Sequence, residues 1–358
     1  MGKFMKKLVI INLGSTSTKV AYYEDRNCVY NENIKHSAAD LSPFPDIMDQ
    51  YEYRYEEVIK FLERKKIDPK TIDAFVSRCG NMAPAEGGVY EITSPMVEQI
   101  KTCRYGKHAS NLGVQIAQKF CETYGAMPLT VDPPTTDEFE ALARYSGHAA
   151  ISRKSSFQAL NQRAVGKKYA ADVNKKYEDL NLIIVHLGGG ISIVAHKQGR
   201  MVDGNNALDG DGPFSTNRTG DLPVGSLIDM CFSGKYTYAE MKKQVNGVGG
   251  LVSYVGKNDV LLIEQRAAND PVCAEVLEAM CYQVAKSIGA AATVLKGKVD
   301  AILLTGGMAN SKLLVGYIKE RTDFIAPVTA YPGEFEMETL ALNGYEVLMG
   351  NIVPKKVK

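Results

Sequence analysis

A chain of 358 residues is long enough for two domains with well-formed cores. Its 45% apolar and 23% charged residues are ordinary for a globular protein, and 42 basic against 41 acidic residues leave no basic field for nucleic acid. Function is therefore expected from local sites rather than from net charge.

The N-terminal MGKFMKK is basic, but the apolar run that follows stops at Asn12, too short for a secretory signal. No run approaches the roughly 18 apolar residues of a membrane span, so no membrane partner is expected. Strand-like runs follow at 8–12, 18–24, 28–34, 72–77, 129–132, 182–186, 192–197, 301–305 and 324–331. Helical patterns fall between them at 46–65, 111–124, 136–145 and 270–295. This alternation predicts an α/β protein. Seven cysteines without a C-x-x-C pair read as free thiols of a reducing cytoplasm, each a small buried hydrophobe.

The first strand is broken by INLGSTSTK and restarts at once. Residues 8–21, LVIINLGSTSTKVA, lie over residues 182–195, LIIVHLGGGISIVA. In both, an apolar strand runs into Asn12 or His186, then Leu-Gly, a glycine or hydroxyl turn, and a second strand ending Val-Ala. The repeat predicts a duplicated domain in which each half presents one tight turn. Such tips offer backbone N–H and O–H donors to an anion, and two facing each other would grip a polyphosphate. Either hairpin alone reads equally well as an ordinary glycine-rich turn; their pairing favours phosphate. A Walker loop fails here, because Val20 to Tyr23 continue as strand instead of opening a helix.

A third element, AILLTGGMANSKLLVGYI at 301–318, reads as a buried strand, a Gly-Gly turn and an amphipathic helix, a nucleoside site or a packing device. Arg78 and Arg218 sit in glycine-containing loops, where a guanidinium takes carboxylate or phosphate bidentately; a surface ion pair is the alternative. Asp132 closes a strand and suits a hydrated cation. Asp137 and Glu138 read as helix N-terminal charge.

INLGSTSTK, SRCG, VDPPTTDE, SFQALNQ, VHLGGGIS, NALDGDGPF, NRTGDLP, LTGGMANS and YPGEFEME occur in this order, from about residue 6 to about 350. Together they resemble the acetate and butyrate kinase family, and the DGDGPF and ALNQ wording resembles its butyrate branch. The resemblance implies duplicated actin-like ATPase (ribonuclease H-like) domains with an interdomain nucleotide cleft. The expected division is 1–150 and 151–334, with a helix in 335–358 packing back on the first domain. It implies ATP/ADP, Mg2+, a short-chain carboxylate or acyl phosphate substrate, and a cytoplasmic homodimer or higher homo-oligomer.

Carried over residue by residue, Asn12 resembles the contact to the transferred phosphoryl group, with Ser15, Ser17 and Lys19 supporting its turn. Arg78 and Arg218 resemble the arginines that bind carboxylate and stabilise the transferring group. Asp132 and Glu336 resemble the magnesium carboxylates, with Glu334 and Glu338 as competing alignments for the second. His186, Gly188, Gly189 and Gly190 match the second phosphate hairpin, and Gly306 and Gly307 the adenosine motif. Two positions depart from the family. Gln158 stands where a histidine is common, and Cys79 stands where the butyrate branch has glycine, where a side chain is expected to narrow the acyl pocket. Alternatives are a weakened paralogue that senses nucleotide or acyl phosphate, and a kinase of another small metabolite.

Overall fold

A computed structural model describes residues 5–207 and 210–357. Leu208 and Asp209 of the NALDGDGPF stretch, and the first four residues of MGKFMKK, lie outside the described residues. The chain divides into two compact units, Met1–Thr136 with Phe335–Lys358, and Asp137–Glu334.

In the first unit, strands β1 (Lys7–Gly14), β2 (Ser17–Glu24) and β3 (Asn27–Lys35) form an antiparallel meander. Strands β4 (Ala74–Arg78), β5 (Val89–Glu91) and β6 (Met127–Val131) complete a sheet of order β3-β2-β1-β4-β6-β5, in which β4 and β6 run parallel to β1. Strand β1 is buried on both faces, which explains its unbroken apolar run. Val9, Ile11 and Leu13 join a core with Phe61, Phe75 and Phe120. On the other face the terminal helix Glu336–Leu348 packs through Gly344, where an added Cβ would crowd Leu8 and Val76.

The second unit repeats the plan. Strands β7 (Asn181–Leu187), β8 (Ile191–Lys197) and β9 (Arg200–Gly204) form a meander, and β10 (Ala301–Gly306) and β11 (Val328–Pro332) add in parallel, giving β11-β10-β7-β8-β9. The core lies between Ile183, Val185, Leu187, Ile191 and Ile193 and the long helix Pro271–Val294. Each unit thus reads meander, then two parallel strands added beside the first. The two hairpins differ at the tip. Gly14 pairs with Ser17 around two residues, whereas Leu187 pairs with Ile191 around Gly188, Gly189 and Gly190. Asn12 therefore faces Lys19, while His186 faces Ser192.

The segment expected as a helix at 136–145 is mostly irregular, with one 3-10 turn at Ala141–Arg144. Its side chains are committed to partners within the segment and beyond it. Asp137 takes both guanidinium nitrogens of Arg144, at 2.6 and 3.0 Å, and Glu138 accepts from Arg163 at 2.7 Å and from the Met201 N–H at 2.8 Å. Asp137 and Glu138 are thus ion-paired rather than helix-terminal charges. Because Glu138, Glu140 and Arg153 bond to β9, this segment belongs to the second unit, and the division falls earlier than 150. The strand expected at 324–331 begins only at Val328, and strands β5 and β9 fall outside the expected runs. Cys79, Cys121, Cys273 and Cys281 are buried, but Cys28 lies on the outer strand β3 and Cys231 on a helix with no buried residue; both are exposed. No helix of the described residues is long and apolar enough to cross a membrane.

Candidate active site

In the first unit the parallel register collects chemistry at one edge. Ile11 pairs with Ser77 and Arg78 with Val131, so Asn12, Arg78 and Asp132 all sit at the C-terminal ends of β1, β4 and β6. Ligands of parallel sheets bind at that edge. Asn12 Nδ2 donates to Glu336 Oε2 at 2.7 Å, and Arg78 Nη2 lies 3.7 Å from Glu336 Oε1. Glu336, 3% exposed, opens the terminal helix, so a residue 324 positions away completes the site. It is the glutamate of the three candidates that joins Asn12 and Arg78. Asp132 is buried with φ +39°, strained for a residue with a Cβ, and its Oδ1 accepts the Gly88 N–H at 2.8 Å.

No group of three or more His, Cys, Asp or Glu able to hold a metal occurs among the described residues. Magnesium binds through one or two carboxylates with waters and phosphate oxygens, so the donor chemistry of Asp132 and Glu336 fits it without a larger cluster.

The β1–β2 tip carries exposed Ser15 and half-buried Ser17, and Lys19 pairs with Asn12 in the ladder. Beneath it lies a residue the sequence reasoning missed. Arg54, fully buried on helix Tyr51–Arg64, donates to the carbonyls of Ser15 (3.0 Å) and Ser17 (2.8 Å) and to Thr18 Oγ1 (3.0 Å). Gln50 Oε1 holds it from one turn earlier, and burial lowers its pKa. The tip carbonyls are thereby turned inward. A signal existed: Arg54 precedes Val58, Phe61 and Leu62 at helical spacing, on the stripe that should face the core.

In the second unit, Arg218 packs against the β7–β8 tip. Its Nη1 donates to the Ala207 carbonyl at 2.8 Å and occupies the space a Cβ on Gly190 would need. Its buried Nε has no hydrogen-bond partner among the described residues, and burial lowers its pKa. Gly306, with φ +88°, lies against the Leu187 carbonyl with no room for a side chain, so the Gly306–Gly307 turn abuts the same tip. A 3-10 turn, Gly307–Asn310, intervenes before helix Lys312–Glu320, which is capped by Ser311. The order strand, glycine turn and helix is the expected one, with the 3-10 turn separating the glycines from the helix N-terminus.

Gln158 immediately precedes helix Ala159–Asp172. Gln162 Nε2 donates to the Ser192 carbonyl (3.3 Å) and to Ser192 Oγ (3.1 Å), so that hydroxyl is left to donate, and does, to Gln158 Oε1 at 2.8 Å. Gln162 Oε1 is met by buried His196, whose pKa burial holds down to about 3, and Tyr177 bonds its other nitrogen at 2.6 Å. The chain ends with the Gln158 NH2, which has no hydrogen-bond partner among the described residues.

Cys79 does not line a pocket. It is fully buried, its sulfur 3.8 Å from that of Met82, and burial pushes its thiol up to about 12. The expected narrowing of an acyl pocket is overturned, because the side chain points into the first unit's core.

The acetokinase family model matches residues 137–325. The chain is 46% identical to butyrate kinase 2 of Clostridium acetobutylicum over 98% of this chain and 99% of that one. It is 48% identical to a probable butyrate kinase of Clostridium botulinum (strain Eklund 17B) over 96% and 97%. Among solved structures, Porphyromonas gingivalis acetate kinase superposes with TM-score 0.79 at 17% identity, covering 96% of this chain and 100% of that one. A propionate kinase of Francisella tularensis gives 0.74 at 19%, covering 95% and 99%. At these identities the superpositions speak for the fold.

Proposed function

The chain belongs to the acetokinase family, and on that premise we propose that it transfers the γ-phosphoryl group of ATP reversibly to butyrate or a related short-chain carboxylate. What carries this is near-full-length identity to butyrate kinases, together with Asn12, Arg78 and Glu336 assembled at a strand-end edge.

The acceptor is a carboxylate with a pKa of roughly 4 to 5 by analogy with side-chain carboxyls, so it is ionised at neutral pH and no general base is required. Its oxygen attacks the γ-phosphorus, the bond to the ADP oxygen breaks, and an acyl phosphate forms. The protein's work is positioning and charge stabilisation. In this reading Arg78 orients the carboxylate, Arg218 and the Gln158 NH2 stabilise charge on the moving phosphoryl group, and Asn12 contacts it. Ser15, Ser17 and Lys19 at one tip, and Gly188 to Gly190 at the other, serve the phosphates; Gly306 and Gly307 serve the adenosine. Asp132 and Glu336 would hold Mg2+, which neutralises phosphate charge when bound.

With MgATP and straight acids of two to five carbons, hydroxylamine trapping is expected to give acyl hydroxamate with kcat/KM highest at four or five carbons. Equal turnover of sugars or glycerol, with no hydroxamate from any acid, would remove the proposal.

A further inference from the structure

Asp132 is tied to a turn outside its own strand. The Gly88 N–H donates to Asp132 Oδ1 at 2.8 Å, and the Asp132 N–H donates back to the Gly88 carbonyl at 3.0 Å. The backbone of Asp132, at φ +39°, is of a kind that persists only where its surroundings over-determine it. Gly88 in turn enters β5, which has three residues and stands at the end of its sheet. An edge strand this short holds little by itself.

The outer side of β5 is closed by the segment that follows the terminal helix, through a parallel bridge between Tyr90 and Lys355. Lys355 brackets Gly88. Its N–H donates to the Val89 carbonyl at 2.8 Å, its carbonyl accepts the Glu91 N–H at 2.9 Å, and its Nζ donates to the Gly87 carbonyl at 2.9 Å. Between these bonds its stem covers the turn: a Cβ on Gly88 would lie 3.4 Å from Lys355 Cε. Val357 packs against the first unit's core and anchors the segment. The Lys355–Glu86 ion pair, 3.4 Å long between exposed side chains, adds little. The bonds to Gly87 and Val89 are what hold the turn.

We infer that Lys355 is a positioning residue for the reaction: it clamps the turn at Gly87–Val89, and the turn fixes the orientation in which the Asp132 carboxylate meets a cation. The inference rests on the proposal that Asp132 holds magnesium. Groups that orient a metal-binding carboxylate before the ion arrives matter nearly as much as the carboxylate. None of the Lys355 bonds reaches Arg78, so the KM for the acceptor carboxylate should stay unchanged.

Lys355→Met keeps the stem and removes the ammonium, and a chain ending at Pro354 removes the whole clamp. Hydrogen exchange of the metal-free protein should be faster at Gly88 and Asp132 in both, and unchanged along β1 and β2. Affinity for the manganese–ADP complex, read from the ion's paramagnetic resonance, should fall about tenfold, the low end for losing such a partner. Lys355→Arg, which can still donate to the Gly87 carbonyl, should restore both. A clamp that serves the fold alone would lower the melting temperature and leave manganese–ADP affinity as in the parent, which overturns the inference. Parental exchange at Gly88 and Asp132 in Lys355→Met overturns it as well, whatever the shortened chain does. Asp132→Asn tells the two failures apart. It should weaken manganese–ADP binding, and parental affinity there would overturn the proposal for Asp132 on which the clamp's role rests.

Discussion

Arg218→Ala should lower kcat on the order of 10³-fold, the size seen when an arginine that stabilises a transferring phosphoryl group is removed. The guanidinium is held against Gly190 and tied to the Ala207 carbonyl, yet its buried Nε has no hydrogen-bond partner among the described residues. A buried donor of that kind costs free energy unless something binds it, and phosphoryl oxygens are suitable acceptors. The loss should appear in kcat, with ADP affinity by calorimetry changed little, because the charge that Arg218 meets develops during transfer. Arg218→Lys should recover only part of the rate, since an ammonium cannot form the planar fork. A folded Arg218→Ala with parental kcat would take Arg218 out of the reaction.

Arg54→Leu has the largest expected effect on stability. Four acceptors depend on this side chain: the carbonyls of Ser15 and Ser17, Thr18 Oγ1 and Gln50 Oε1. Leucine fills part of the volume but leaves those groups without their donor, for a loss of roughly 3 kcal/mol at 1 to 3 kcal/mol per buried unsatisfied group, some regaining water at the tip. Denaturant titration should show that loss, and the KM for ATP should rise as the Ser15–Ser17 turn relaxes. Arg54→Lys should fall between parent and leucine variant. A leucine variant as stable as the parent would mean that the tip is held by its ladder alone.

Much of the fold was legible because it depends on local pattern. The repeated hairpin was visible from residues 8–21 and 182–195, and its strands extend only a residue or two beyond the expected limits. The site at the strand ends was legible as separate motifs. Its assembly was not, since Asn12 and Glu336 meet only through the parallel register and the return of the terminal helix. The one-residue difference between the hairpins was hidden too, because a two-residue and a three-residue tip look alike under an ungapped overlay.

The errors share a cause. Helical propensity at 136–145 was real, but Asp137, Glu138 and Glu140 gain more from Arg144, Arg163 and the β9 backbone than from a helix of their own. Cys79 was assigned to the pocket because the family resemblance puts its neighbour Arg78 there, yet adjacent residues of a strand end point to opposite sides. Gln158 kept its interest: Ser192 turns its amide so that the NH2 remains available, and Ser192 is held in turn by Gln162.

Transfer to a carboxylate oxygen is tested most directly by isotope labelling. Butyrate carrying heavy oxygen in both carboxyl positions is incubated with MgATP, and the acyl phosphate is examined by phosphorus NMR. Attack by the carboxylate places one labelled oxygen between carbon and phosphorus, so the acyl phosphate resonance should show the isotope shift in full. An acyl phosphate without that shift, or ADP formed only with unlabelled inorganic phosphate, would contradict the reaction assigned to this chain.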